Sequence, residues 1–97
     1  MKILAMEKET PGVKPEQFAQ YLKLEAKQVW ELYQAGLIRE LYFRRDRSEA
    51  VLILECTSTD DASKVLDKLP LVQSGLISFE LIPLIPYPGF SRLFAEG

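Results

Sequence analysis

The sequence predicts an α+β sandwich in the order βαββαβ, with two helices packed on one face of a four-stranded antiparallel sheet. Three observations predict it. Apolar residues alternate in the first eight positions, as Ile3 and Ala5 against Leu4 and Met6, and then recur with helical spacing from Phe18 to Gly36. Two more alternating segments, Leu37 to Arg44 and Ala50 to Cys56, flank the polar run Arg45-Asp46-Arg47-Ser48-Glu49, which suits a hairpin connection. A shorter helical pattern and a final strand complete the order, and right-handed crossovers then place both helices on the same face, the ferredoxin-like arrangement.

Taken in order, the first strand spans Lys2 to Lys8 and closes at the turn Thr10-Pro11-Gly12. Pro15 suits a first helical turn, so the first helix is expected from Pro15 to Ala35, with Gly36 as a left-handed C-terminal cap. After the hairpin, Ser58 stands three residues before Asp61, a capping-box variant opening a helix with Ala62, Val65, Leu66 and Leu69 inward until Pro70 stops it. The last strand is expected from Leu76 to Ile82. Pro83, Pro86 and Pro88 then forbid central-strand pairing, so residues 83–97 should form a proline-rich arm with a helical turn at Ser91 to Ala95.

The strands are apolar on both sides: Ile3 and Ala5 oppose Leu4 and Met6, Val51 and Ile53 oppose Leu52 and Leu54, and Ile77, Phe79 and Leu81 oppose Leu76 and Ile82. One set meets the helices. The other would be a large exposed patch in a monomer, so a homodimer is expected, its two sheets facing one another as an α+β barrel and the arm embracing the partner.

With 97 residues, 47% hydrophobic and 27% charged, the chain describes one domain spanning 1–97. A net charge of −2 argues against nucleic acid as a partner, because phosphate neutralisation needs an excess of Lys and Arg. The strand Ala50-Val51-Leu52-Ile53-Leu54-Glu55 also lacks the basic, glycine and aromatic pattern of an RNA-recognition module, which shares the βαββαβ order. No apolar run suits a signal peptide or a membrane span, so a cytoplasmic location is expected. Cys56 is the one cysteine and reads as a buried strand thiol, and no histidine is present. The lack of histidine removes imidazole metal ligands and every Ser-His or Cys-His nucleophile pair, leaving carboxylates, tyrosines and lysines for proton transfer.

Among these, Glu25 stands out. At about 100° per residue, Phe18, Leu22, Val29, Leu32 and Gly36 fall within roughly 40° of one line along the first helix, and Glu25 falls inside that fan. A carboxylate there must find a donor or cation, or raise its pKa until it is protonated. It reads either as a general base in an enclosed pocket or as a partnered structural carboxylate.

Three stretches carry a resemblance: Glu25 in the helix that ends Gln34-Ala35-Gly36, the strand Leu37-Ile38-Arg39-Glu40-Leu41-Tyr42, and the second helix running into Leu69-Pro70-Leu71. With them the chain resembles the muconolactone isomerase-like family of dimeric α+β barrels. From Gly36 to about Pro88 the pattern aligns without an evident gap, Tyr42 standing where those isomerases carry a tryptophan and Glu40 where they carry a histidine. The resemblance implies the fold, a dimer or a higher assembly built from dimers, and a cofactor-independent enzyme shifting a proton on a small unsaturated lactone or acid. Similar barrels also serve oxygenases and dehalogenases, and a non-catalytic dimeric module for ligand binding or assembly is the alternative. In the enzyme reading Glu25 is the base, Tyr42 or Tyr21 donates to the developing oxyanion, and Arg39 grips a substrate carboxylate. Arg39 and Tyr42 have opposite parity, so both cannot face one pocket without a bulge.

Other features read as structural. Arg44, Arg45 and Arg47 are interrupted by Asp46 and Glu49 and suit a solvated hairpin tip. Trp30 lies about 120° from the stripe centre, where it would pack on a neighbouring subunit or the arm. Asp60 and Asp61 favour a helix start, and Glu7, Glu55 and Glu80 match no metal motif.

Overall fold

The computed structural model describes residues 1–95, so the last two residues of the expected arm lie outside the described residues. Strand β1 (Lys2–Glu9) leads through a 3-10 turn (Pro15–Gln17) into α1 (Leu22–Gln34). Strands β2 (Ile38–Phe43) and β3 (Ala50–Glu55) follow, then α2 (Thr59–Leu66), the one-turn α3 (Pro70–Gln73), β4 (Ile77–Leu84) and a second 3-10 turn (Gly89–Leu93). The sheet has the order β2-β3-β1-β4 and all its pairings are antiparallel, as the βαββαβ order requires.

One face of the sheet meets the helices. Ile3 and Ala5 of β1, Leu52 and Leu54 of β3 and Ile38 of β2 bury against Ala62, Leu66 and Leu69. Leu71, Leu76 and Ile77 form a second cluster with Val13, Phe18 and Tyr21. On the opposite face Leu4, Met6, Val51, Ile53 and Ile82 remain half-buried, with no helix or strand over them among the described residues. Cys56 is buried just past β3, its amide donating to the Met1 carbonyl at 3.0 Å, and burial pushes its thiol pKa up.

Four expectations needed correction at element ends. The first helix does not run unbroken from Pro15: the 3-10 turn and a bend precede Leu22, so Phe18 leaves the helical stripe and joins the second cluster. Pro70 does not merely stop a helix, since it occupies the first turn of α3, where its missing N–H costs nothing. Pro83 lies within β4, opposite Ile3, which an edge strand tolerates. The final helical turn starts at Gly89 rather than Ser91. Gly36, with φ +82°, ends α1 as expected. Its amide donates to the Tyr33 carbonyl at 3.1 Å and the Leu37 amide to the Leu32 carbonyl at 3.0 Å, a Schellman motif that turns the chain into β2.

The start of α2 also keeps its signature in part. Ser58 Oγ accepts from the Asp61 amide at 3.1 Å, but the Asp61 carboxylate contacts the Thr57 hydroxyl instead of returning to the cap residue. Ser58→Ala should therefore cost about 1 kcal/mol in urea unfolding. A loss below a few tenths would show that the Thr57–Asp61 contact caps the helix by itself.

Candidate active site

A cavity of about 410 Å³ separates α1 from the sheet. Its roof is α1, where Glu25 and Val29 are half-buried and Leu22 and Ala26, both also open to solvent, line its edge. Its floor is the helix-side face of the sheet, with Glu7, Leu41, Phe43, Ala50, Leu52 and Phe79, and Leu69 and Leu71 close one end. The walls are almost wholly apolar. No residue of α1 is fully buried, although Val29 and Leu32 pack against the core beneath it.

Two carboxylates enter the cavity from opposite sides. Glu25, in the first turn of α1, accepts from the Leu71 amide at the start of α3, Oε1 to N at 3.0 Å. Among the described residues no Lys or Arg forms an ion pair with it. Burial raises its pKa above the ordinary carboxylate value, and the Leu71 N–H offsets part of that rise. Glu7, 9% exposed, projects from β1 on the same face as Ile3 and Ala5, and its Oε1 accepts from the Ala50 amide at 3.3 Å. Burial first, then the neighbouring charges of Glu49, Glu9 and Glu25, push the Glu7 carboxyl up to about 7, against the opposing pull of the Ala50 N–H.

Glu7 is the residue that sequence reasoning passed over. The signal was available: the alternation that turns Ile3 and Ala5 toward the helices turns Glu7 the same way.

The four residues singled out from the sequence are not brought together. Glu25 lines the cavity. Tyr42 borders it, but its pairing with Val51 sets its side chain on the sheet face away from the helices, where its hydroxyl donates to Glu40 Oε1 at 2.8 Å. That bond to a carboxylate raises the Tyr42 pKa. Tyr21 stands outside the cavity in the cluster around Leu71, its carbonyl accepting from the Glu25 amide at 2.8 Å. Arg39 also lies outside it: β2 carries a register shift between Ile38 and Glu40, and the Arg39 Nε donates back to the Gly36 carbonyl at 2.8 Å. The parity obstacle between Arg39 and Tyr42 is thus removed by a bulge, yet neither polar head points into the cavity.

The hairpin arginines behave as a solvated network. Arg44 forms a bidentate pair with Asp46, at 2.9 and 2.7 Å, and Arg44 and Arg47 both approach the Glu49 carboxylate. Trp30 is exposed and stacks on Tyr33 with ring centroids 5.9 Å apart. Among the described residues no group of three His, Cys, Asp or Glu side chains is placed to hold a metal ion, and no helix is long and apolar enough to cross a membrane.

No family model matches the chain, and no curated protein matches it. Solved structures do. The crystal structure of muconolactone isomerase superposes with a TM-score of 0.74 at 19% identity, covering 91% of this chain and 92% of that one. The 5-chloro-2-hydroxyhydroquinone dehydrochlorinase of Burkholderia phenoliruptrix AC1100, in complex with 2,5-dihydroxybenzoquinone, superposes with a TM-score of 0.71 at 18% identity, covering 88% and 94%. The chain therefore has the muconolactone isomerase-like, ferredoxin-like fold.

Proposed function

We propose that this protein is a small cofactor-independent enzyme that moves a proton between carbon atoms of a small unsaturated lactone or acid, with Glu25 as the base. One observation carries the reading: Glu25 faces an apolar cavity of ligand size, with one oxygen fixed by a backbone amide and no cation to hold it ionised. A carboxylate in that setting can take a proton from an acidic C–H at neutral pH and return it to a neighbouring carbon, because burial brings its proton affinity toward that of the enolate-like intermediate. The likeness to two enzymes of small cyclic compounds supports the same class. A second reading, a dimeric ligand-binding module, draws on the backbone bonds of Glu25 and Glu7, which also brace the helix and the hairpin. Replacing Glu25 with Gln, while screening small unsaturated lactones for turnover, separates the two.

The enzyme works in this proposal as a cytoplasmic homodimer, or as a larger assembly of dimers, with sheets face to face. The uncovered apolar face of the sheet supports it, and so does the arm, on which Ile85, Tyr87, Phe90, Leu93 and Phe94 are each more than half exposed. The molecule measures 60 Å along its longest axis with a radius of gyration of 16.3 Å, whereas a compact chain of this length has about 12.5 Å. Light scattering should give at least twice the protomer mass, and Val51→Lys on the open face should shift it to the monomer. A monomeric parent protein would end the dimer proposal.

A further inference from the structure

The cavity holds two carboxylates from different elements, and the proton shift needs only one of them as base. Each has one oxygen bound to a backbone amide, Glu7 to Ala50 and Glu25 to Leu71, and among the described residues neither second oxygen has a protein donor. Among the described residues no Lys or Arg lines the cavity, and Arg39, expected to grip a substrate carboxylate, is bonded outside it. The charged groups that act on Glu7 are Glu49, Glu9 and Glu25, all acidic. An anion entering this space would lose its hydration among apolar walls and meet two carboxylates with no compensating cation. Above about pH 7, where Glu7 is ionised, an uncharged molecule carrying an O–H or N–H would instead find two free acceptor oxygens.

We propose that Glu7 and Glu25 act together as a charge filter that admits uncharged, hydrogen-bond-donating small molecules to the cavity and turns anions away. The proposal rests on the reading of this cavity as the ligand site and narrows its substrate to the uncharged lactone or enol rather than the acid. At about 410 Å³ the space suits a molecule of up to about three rings.

Two fluorescent probes of one skeleton test the filter: N-phenyl-1-naphthylamine, uncharged with a single N–H, and 8-anilinonaphthalene-1-sulfonate, its anionic counterpart. The neutral probe should bind saturably, the sulfonate about tenfold or more weakly, and Ala26→Trp, which fills the cavity mouth from the exposed side of α1, should abolish neutral-probe binding. The double variant Glu7→Gln with Glu25→Gln should bring the two affinities to within about threefold. Equal affinity for both probes in the parent protein, a gap unchanged by the double variant, or neutral-probe binding indifferent to Ala26→Trp would each overturn the filter. Equal affinities in the parent protein, alongside turnover that still depends on Glu25, would overturn the filter alone and leave the base assignment standing.

Discussion

Glu25→Gln should lower turnover by about 10²- to 10⁴-fold with the fold retained, the range that removal of a general base produces. The substitution is close to isosteric, and the amide oxygen can still accept from the Leu71 N–H, so α3 keeps its anchor to α1. What is lost is only the capacity to take up a proton. Stability should hold or rise slightly, because a half-buried ionisable group without a cation is replaced by a neutral one. In the parent enzyme the pH profile should carry the complementary signature. Since burial raises the Glu25 pKa, its basic form, and with it kcat/KM, should grow through a limb lying above the usual carboxylate range, and that limb should vanish in the variant. Intact turnover in Glu25→Gln would remove Glu25 as the base and favour the binding-module reading.

The periodicity of the chain was sufficient for the order of elements along the chain, the antiparallel sheet with two apolar faces and the place of Glu25 on the helix stripe, whereas which face meets the helices comes from the structure. Ile3, Ala5, Leu52 and Leu54 form one face whatever the details of the turns. The site was less legible for identifiable reasons. The bulge at Arg39 redirects β2 by one residue, and nothing in Ile38-Arg39-Glu40 announces it. Tyr42 lies on the far face because β2 pairs through Val51, a register that alternation alone does not select when both faces are apolar. Phe18 has helical spacing relative to Leu22 but sits in the bend before α1, so the stripe is shorter than its pattern. Glu7 is legible by parity, since it shares the face of Ile3 and Ala5, although its spacing matches no metal-ligand pattern.

Glu7→Gln should make the protein more stable at pH 8 and leave it unchanged near pH 4.5. The folded chain holds the Glu7 carboxyl at about 7 against an ordinary value of 4.5. Below pH 4.5 the group is protonated in both states and contributes nothing to the balance. As the pH rises from there the unfolded chain releases the proton while the folded chain retains it, so stability falls until the pH passes about 7. The cost of ionising Glu7 in place is then complete, about 3 kcal/mol for a group this buried. Gln keeps an oxygen for the Ala50 N–H and carries no proton to lose, so the variant escapes that cost. Melting at fixed protein concentration should show it higher by about 15 °C at pH 8, with the two curves meeting near pH 4.5. A difference independent of pH would mean that Glu7 ionises freely in the folded protein. A carboxylate that weakens its own fold at neutral pH, set on a cavity floor beside a second one, fits a residue kept for what enters the cavity rather than for what holds it together.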